Sequence, residues 1–226
     1  MKKIKIIGVG GIGGYLIEPL SRYLNHTQNE VEVTVYDGDT YEEKNKNRQR
    51  FSLYENKAQH TVKILKDEFP RIHFRFKPEY LTDKNVISAI RENDVVFLCV
   101  DNHATRKLVS DRCEELDNVT LISGGNDYTD GNVIVYIRKD ANDVTKSPTQ
   151  LHSKIANPTD ENPGLKKQER SGCEEESVSN PQLLFTNLAI ASAMCNCYYA
   201  WENNKVNFEQ VYLDIATQRM RPSPDK

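Results

Sequence analysis

The sequence lacks a long apolar run, although 38% of its 226 residues are hydrophobic. A helix that crosses a bilayer needs about 18 or more consecutive apolar residues, and no stretch here reaches that length. The N-terminal sequence MKKIKIIGVGG arrives at its first glycines before the core of a signal peptide could form. We therefore expect a cytoplasmic protein with no membrane partner.

The sequence also lacks an excess of positive charge. Its 30 Lys and Arg residues are outnumbered by 33 Asp and Glu residues, which gives a net charge of -3. Binding to a nucleic-acid backbone rests on an excess of Lys and Arg on one face. Nucleic acid is therefore not an expected partner.

Cysteines are few, and no two of them stand in C-x-x-C spacing. The five are Cys99, Cys113, Cys173, Cys195 and Cys197. This pattern disfavours both a disulfide framework and a zinc site of four thiolates, so no zinc is expected. Cys195 and Cys197 fall in a predicted helix and are interpreted as small core residues.

What the sequence does contain is a series of short apolar strands separated by amphipathic helices. Strands are predicted at residues 3–8, 31–37, 73–76, 95–100, 119–123 and 132–138, and the clearest helices between them at 57–69 and 83–90. Such alternation predicts an α/β, Rossmann-like fold with a doubly wound, mostly parallel sheet. Residues 1–138 are expected to form one domain of this kind.

The remainder of the chain differs in composition. Residues 139–180 are rich in charged residues, Asn and Pro, which predicts a mobile crossing loop. An apolar helix, Leu183–Trp201, follows, and Pro181 suits its first turn. A strand, Gln210–Ile215, and a polar tail complete the sequence. Residues 181–226 are therefore expected to pack on the same domain as an antiparallel C-terminal extension.

A glycine turn follows the first strand. Gly8, Gly10 and Gly13 satisfy G-x-G-x-x-G between a strand and a helix, and Gly11 adds a further glycine. Such a turn lets helix N-terminal amides approach a phosphate, and Asp37 ends the second strand where a carboxylate accepts from ribose hydroxyls. The pattern indicates an adenine nucleotide, but it does not separate ATP from a dinucleotide. Glycines that only allow close packing are the alternative.

The charged stretch after the second strand carries a family resemblance. It reads DGDTYEEKNKNRQRFSLYENKA, and FLCVDNHATRK follows further along the chain. The sequence resembles the ThiF superfamily, the activating enzymes of ubiquitin-like and sulfur-carrier proteins. The resemblance rests on the D-x-D pair, on the spacing of the Asn, Arg and Lys that follow, and on the strand-end Asp-Asn. The resemblance covers residues 3–138 well and the rest more loosely.

The resemblance implies an ATP- and Mg²⁺-dependent adenylyltransferase, with residues 1–138 as the adenylation domain. The implied nucleotide-binding residues are Gly8, Gly10, Gly11, Gly13, Asp37, Asp39, Asn45, Arg48 and Lys57. Asp37 would bind the ribose, whereas Asn45, Arg48 and Lys57 would bind the phosphates. Asp101 would hold the magnesium ion, and Asp101, Arg48 and Lys57 would be catalytic. Physical chemistry supports the same residue types, because negative charge develops on the phosphate oxygens during transfer. Cations stabilise that charge, and a carboxylate holds the magnesium ion.

Simpler interpretations of these residues stay open. Arg48 and Lys57 could belong to an ordinary solvated face, and Asp101-Asn102 could cap the next helix. Lys57 departs furthest from the family pattern, because the glycine that usually precedes it is missing from Tyr54-Glu55-Asn56.

The implied substrate is the C-terminal carboxylate of a small ubiquitin-like or sulfur-carrier protein. A homodimer is expected from the apolar helix and from the resemblance. Cys173 is the candidate for a covalent thioester, although the acidic run Glu174–Glu176 should raise its thiol pKa. The alternatives are adenylation of another carbonyl group on a modified nucleoside or peptide, an NAD-dependent oxidoreductase, and an inert nucleotide-binding scaffold subunit.

Overall fold

The structure is a computed structural model that describes residues 1–28, 30–42, 54–159 and 184–223. Within these ranges the strands are β1 (Lys2–Ile7), β2 (Val31–Tyr36), β3 (Ile72–Lys77), β4 (Asp94–Leu98), β5 (Val119–Asn126), β6 (Asp130–Lys139), β7 (Asn142–Asp143), β8 (Gln210–Asp214) and β9 (Arg219–Ser223). The helices are α1 (Gly11–Thr27), α2 (Lys57–Glu68), α3 (Val86–Ala89), α4 (His103–Glu114), α5 (Pro148–Leu151), α6 (Ser153–Ala156) and α7 (Leu184–Glu202).

The strands form one sheet of order β3-β2-β1-β4-β5-β6-β8-β9, with β7 paired to β6. Strands β1 to β5 are parallel, whereas β6, β8 and β9 pair antiparallel. This confirms the predicted fold class. The chain runs outward from β1 to β3 and then returns to β4 on the other side of β1. The order therefore reverses between β1 and β4, which is where open α/β sheets bind ligands.

Helices cover both faces of the sheet. Strand β4 is buried along its whole length, as a central strand covered on both faces should be. Side chains of α1, α2 and α7 contribute to the core on one face, and those of α3 and α4 to the core on the other. None of the helices in the described ranges combines the length and hydrophobicity that a membrane span needs.

The third helix is shorter than predicted. The sequence suggests a helix from Asp83 to Ile90 with Asp83 as its N-cap, but α3 covers only Val86–Ala89. The Asn85 side chain accepts the backbone N–H of Thr82 at 2.8 Å, so an Asn-stabilised turn occupies the expected first turn of the helix. The prediction of Asp83 as the cap is wrong.

The segment predicted as a crossing loop contains regular structure in its described part. Residues 142–143 form β7, and two one-turn helices, α5 and α6, follow. Ser147 and Gln150 make a capping box at the start of α5, where Pro148 takes the first position. Residues 160–180 lie outside the described residues, so a loop there stays a prediction.

The polar tail after β8 is in part a strand. Arg219–Ser223 forms β9, which pairs with β8, but most of its side chains are exposed and carry no alternating apolar signal. Pro222 is compatible with this position because β9 lies at the edge of the sheet.

Glu202 joins α7 to β1 and α1. Its carboxylate forms an ion pair with Lys2 and accepts hydrogen bonds from Tyr23 at 2.7 Å, Gln28 at 2.6 Å and Tyr198 at 3.2 Å. Burial alone would raise the pKa of Glu202, but the hydrogen bonds and the Lys2 charge outweigh it and hold this pKa below its usual value of 4.5. The ionised form is therefore the one that stabilises the fold.

We expect Glu202→Gln to lower the free energy of unfolding at neutral pH by about 1.5 to 3 kcal/mol, because it weakens hydrogen bonds to a charged acceptor. The pKa of Glu202 is lower in the folded state than its usual value of 4.5. This stabilisation is therefore present above pH 4.5 and is lost as the pH falls through the lowered pKa. Urea unfolding of wild type and variant should therefore differ at pH 7 and converge in acid. Glu115→Gln, which affects an exposed pair with Arg112, should show little difference at either pH. An unchanged urea midpoint for Glu202→Gln at pH 7 would contradict the stabilising role of the ionised Glu202 carboxylate.

Candidate active site

A cavity of about 620 Å³ opens at the carboxyl ends of β1, β2 and β4, where the strand order reverses. One wall comes from the glycine turn after β1, the carboxylates after β2 and the residues after β4. The opposite wall comes from β6, β8 and the short helix α6. The cavity therefore extends from the parallel half of the sheet to the antiparallel half.

The glycine turn has a backbone shape that other residues would not adopt. Gly8 has φ +85°, and a Cβ on Gly13 would lie 2.0 Å from the Gly8 carbonyl oxygen. Gly8, Gly10 and Gly11 line the cavity, whereas Gly13 does not. Gly13 therefore allows close packing, whereas the other three glycines form part of the cavity surface.

Asp37 fixes this turn from the end of β2. One carboxylate oxygen accepts the Val9 backbone N–H at 2.8 Å, and the other accepts the Asp39 N–H at 2.9 Å. Burial raises the pKa of Asp37, although these two hydrogen bonds and the charge of Lys57 act in the opposite direction. The side chain lines the cavity and retains lone pairs for a ligand hydroxyl.

Lys57 lies at the first position of α2 and points toward Asp39. Its ammonium group is 3.0 Å from an Asp39 carboxylate oxygen, and its backbone N–H donates to the Asp39 carbonyl at 2.9 Å. Asn56 caps α2 and donates to the carbonyls of Asp37 and Asp39 at 2.8 and 3.0 Å. The D-x-D loop and the start of α2 therefore form one unit, and Lys57 is buried rather than on a solvated face.

Tyr80 is a cavity residue that no sequence pattern identified. Its hydroxyl hydrogen-bonds to Asp39, and burial together with that carboxylate raises its pKa. Its ring lies so close to Gly38 that a Cβ there would be 2.5 Å from it. Tyr80 lies in a loop after β3, where no periodic signal could have identified it.

Asp101 and Asn102 have separate roles at the end of β4. Asn102 caps α4 by accepting the Thr105 backbone N–H at 2.8 Å, so the capping interpretation is right for this residue. Asp101 lies exposed on the cavity wall and, within the described residues, makes no hydrogen bond or ion pair.

Arg106, in α4, stabilises the backbone of this wall. Its guanidinium is buried and donates to the Ser123 hydroxyl at 2.9 Å and the Gly124 carbonyl at 2.7 Å, and also to the Val100 carbonyl. It thereby joins the ends of β4 and β5 and fixes the residue that precedes Asp101.

Three of the predicted residues, Asn45, Arg48 and Cys173, lie outside the described residues. The other four cysteines are described and are buried or half-buried. Burial raises the pKa of Cys195 to about 11 and of both Cys99 and Cys197 to about 12, so these thiols stay protonated at neutral pH. The prediction of a thioester therefore rests on Cys173 alone.

The opposite wall carries a polar cluster that sequence reasoning also missed. His152 Nε2 lies 2.8 Å from the Gln210 side-chain oxygen and 3.2 Å from the Asn132 amide nitrogen. Asn132 and Gln210 come from β6 and β8, whereas His152 lies between α5 and α6. Only the pairing of these distant segments brings the three together.

Asn187 in α7 is a second polar residue that no sequence pattern identified. It is completely buried, and neither atom of its carboxamide has a hydrogen-bond partner among the described residues. An unpaired buried polar group of this kind costs about 1 to 3 kcal/mol of stability. It lies directly behind Gly11 of the glycine turn.

Asp101 is compatible with the binding of a magnesium nucleotide. Within the part of the chain that the structure describes, no three His, Cys, Asp or Glu side chains are grouped as metal ligands. Mg²⁺ commonly takes one or two protein carboxylates and completes its shell with phosphate oxygens and water. Asp101 satisfies that smaller requirement.

Comparison with known proteins places the chain in a family. A model of the ThiF family matches residues 1–223. The chain belongs to the ThiF family. Adenylyltransferase and sulfurtransferase UBA4 of Lodderomyces elongisporus is 31% identical over 137 residues, which are 59% of this ThiF-family chain and 29% of that protein. The SUMO-activating enzyme subunit uba-2 of Caenorhabditis elegans is 29% identical over 141 residues, 60% of this chain and 23% of the relative. The chain thus spans less than a third of either relative.

Solved structures show the same fold at low sequence identity. Escherichia coli MccB with ATP superposes with a TM-score of 0.71 at 16% identity, over 98% of this ThiF-family chain and 63% of MccB. PaaA superposes with a TM-score of 0.67 at 15% identity, over 98% of this chain and 63% of PaaA.

The two neighbouring glycines of α1 provide a matched test of the turn. Gly13→Ala should lower the free energy of unfolding by about 3 kcal/mol, the upper end of overpacking costs, because its Cβ meets a backbone oxygen. Gly14→Ala should stay within about 1 kcal/mol of wild type, since helix preference offsets a contact of 3.3 Å with the Val9 carbonyl. Denaturant unfolding measures both. Equal effects of the two substitutions would show that the close approach is not what the turn requires.

Proposed function

We propose that the chain is an ATP-dependent adenylyltransferase that activates the C-terminal carboxylate of a small ubiquitin-like or sulfur-carrier protein. The observation that carries the proposal is the convergence of the glycine turn, Asp37 and Asp101 on one cavity in a chain of the ThiF family. The names of the curated relatives, an adenylyltransferase and sulfurtransferase and a SUMO-activating enzyme subunit, support the same activity.

ATP occupies the wall at the carboxyl ends of the parallel strands in this proposal. The ribose hydroxyls bind Asp37, and the phosphates bind the N–H groups at the start of α1, where no side chain caps the helix. Lys57 and Asp39 lie beside them, and Asp101 holds Mg²⁺, which would neutralise charge on the phosphates.

The charge of the described cavity wall supports a contribution of residues 43–53 to phosphate binding. The cavity is lined by six carboxylates, Asp37, Asp39, Glu79, Asp101, Asp127 and Asp130. Of the Lys and Arg side chains that line it, Lys57 is paired with Asp39, Arg106 is bound to carbonyl and hydroxyl oxygens, and Lys154 lies in α6 on the opposite wall, so a triphosphate on the parallel side requires further cations. Residues 43–53 include Lys44, Lys46, Arg48 and Arg50. The chain on either side of them is joined next to Asp39 by a hydrogen bond from the Tyr41 N–H to the Glu55 carbonyl. This supports Arg48 and Asn45 as phosphate ligands.

The reaction transfers AMP to a carboxylate. A carboxylate oxygen of the carrier attacks the α-phosphorus, the bond from that phosphorus to the bridging oxygen breaks, and pyrophosphate leaves with the electron pair. The products are an acyl adenylate and pyrophosphate. No proton is transferred in this step, so the site must orient the tail and stabilise charge rather than act as a base.

Adenylation of another carbonyl group is the alternative, because MccB shares the fold over almost the whole chain. ATP-pyrophosphate exchange with candidate carrier proteins separates the two. Exchange that requires a ubiquitin-like or sulfur-carrier protein supports the proposal, and exchange that requires only a peptide or nucleoside supports the alternative. A greater thermal stabilisation by NAD than by MgATP would favour an oxidoreductase.

Asp101→Ala should abolish carrier-dependent exchange because it removes the magnesium carboxylate. Its stability should stay within about 0.5 kcal/mol of wild type, since the side chain is exposed and unbonded in the described structure. Arg48→Ala should slow exchange at least 100-fold, roughly 2.7 kcal/mol of lost stabilisation. Asp111→Ala, an exposed carboxylate on α4 that pairs with Lys107, is the control and should keep full activity. Normal exchange by Asp101→Ala would refute the assignment of Asp101.

We further propose a homodimer that buries the outer face of α7. Phe185, Leu188 and Tyr199 share that face and are 64%, 40% and 50% exposed, while the opposite side of the helix packs in the core. Exposed apolar side chains in such a row are typical of protein interfaces.

The double substitution Phe185→Glu and Leu188→Glu should convert a dimer into a monomer, because it places charge in an apolar interface. Sedimentation velocity at micromolar concentration measures this change. Ile64→Glu, at an exposed apolar position on α2, should leave the dimer intact. A monomeric wild type at the same concentration would contradict the proposal.

A further inference from the structure

Two adjacent polar side chains near the start of α7 are completely buried, and they differ in pairing. The Thr186 hydroxyl donates to the Tyr128 carbonyl at 2.6 Å. In the part of the chain that the structure describes, the Asn187 carboxamide has no hydrogen-bond partner at either its nitrogen or its oxygen. Buried amides are almost always paired, so Asn187 calls for an explanation other than packing.

The position of Asn187 links it to the proposed phosphate site. A Cβ on Gly11 would lie 2.6 Å from the Asn187 amide nitrogen and 3.2 Å from its oxygen. Gly11 is the first residue of α1 and lines the cavity, whereas Asn187 does not. The carboxamide therefore lies behind the glycine turn, with Gly11 between it and the cavity.

The N-terminus of α1 has the features of an anion site. Its N-cap is Gly10, which offers no side chain to the first-turn N–H groups. Those groups and the helix dipole favour negative charge in the cavity. A helix N-terminus that faces a cavity is thus combined here with an unpaired, buried amide in contact with its first residue.

We propose that Asn187 is a positioning residue for the phosphates of ATP, an inference that rests on the proposed function. A carboxamide has a donor and an acceptor that match those of a peptide group. The Val9 N–H is bonded to Asp37 and the Gly10 carbonyl accepts the Gly14 N–H at 3.1 Å, so the peptide between Val9 and Gly10 is the part of the turn that these bonds leave free to rotate. When phosphate oxygens draw the Gly10 N–H toward the cavity, the rotated peptide is presented to Asn187, and the amide becomes paired.

The consequence is a difference in affinity between two forms of the turn. Asn187 is unpaired when the turn is free and paired when the turn binds phosphate, so it stabilises the bound form relative to the free form. A side chain shifts a ligand equilibrium only by such a difference between the two forms. Leucine has the same branched arrangement of heavy atoms as asparagine and no polar atom to leave unpaired, so it removes the difference without opening a cavity.

The experiment measures MgATP binding by calorimetry, without carrier protein, and the melting temperature of the free protein. Asn187→Leu should bind MgATP about tenfold more weakly, the equivalent of about one hydrogen bond, and should melt no lower than wild type. Thr186→Val is the matched control, because it removes a satisfied hydrogen bond in the same turn of α7. It should melt lower than wild type and keep its Kd within twofold. Asn187→Ala replaces the leucine variant if that variant does not fold.

The outcomes separate this inference from the proposed function. A Kd within twofold of wild type for folded Asn187→Leu overturns the positioning role and leaves the proposed function standing. Equal losses of affinity in both variants also overturn it, since they would show a general effect of α7 packing. A wild-type protein that binds no MgATP contradicts the proposed function and, with it, the inference.

Discussion

The hydrogen bond from the Val9 backbone N–H to the buried Asp37 carboxylate connects the ends of β1 and β2. Without it the glycine turn would have no fixed position relative to the second strand, because glycines leave the backbone otherwise free to move. The same carboxylate accepts the N–H of Asp39, which in turn holds Lys57 and the start of α2. One buried charge thus organises three chain segments around the place where a ribose would bind.

Arg106 has the corresponding role on the other side of the cavity. Its guanidinium joins the ends of β4 and β5, and Asp101 follows the Val100 carbonyl that it holds. Arg106 therefore serves the site as a support for the backbone, and Asp101 stays exposed and available for a metal ion. Backbone groups provide hydrogen bonds to both of these buried side chains, so Asp37 and Arg106 also hold the backbone of the site in place.

The sequence predicted the parallel half of this protein well because its signals are local. The glycine motif, the strand-end carboxylate and the apolar strands each follow from a few consecutive residues, and the resulting fold class is confirmed. Tyr80, His152 and Asn187 could not be found in this way, since each reaches the cavity or the turn through a contact between distant segments. Strand β9 also escaped prediction, because it pairs through its backbone while its side chains stay in water.

The change from parallel to antiparallel pairing at β5 and β6 gives the cavity two chemically different walls. Parallel strands require crossover helices, and the N-termini of these helices supply the N–H groups and dipoles that suit a phosphate. Antiparallel strands need no such helices, and here they bring neutral side chains, Asn132 and Gln210, beside His152. Of these, Asn132 and His152 line the cavity, beside Asp130 and Lys154. In the proposed reaction, the amide and imidazole groups would suit the peptide groups of an extended tail, because such groups donate and accept hydrogen bonds. The two kinds of strand pairing therefore divide the proposed tasks, with phosphate binding at the helix N-termini of the parallel half and tail binding at the side chains of the antiparallel half.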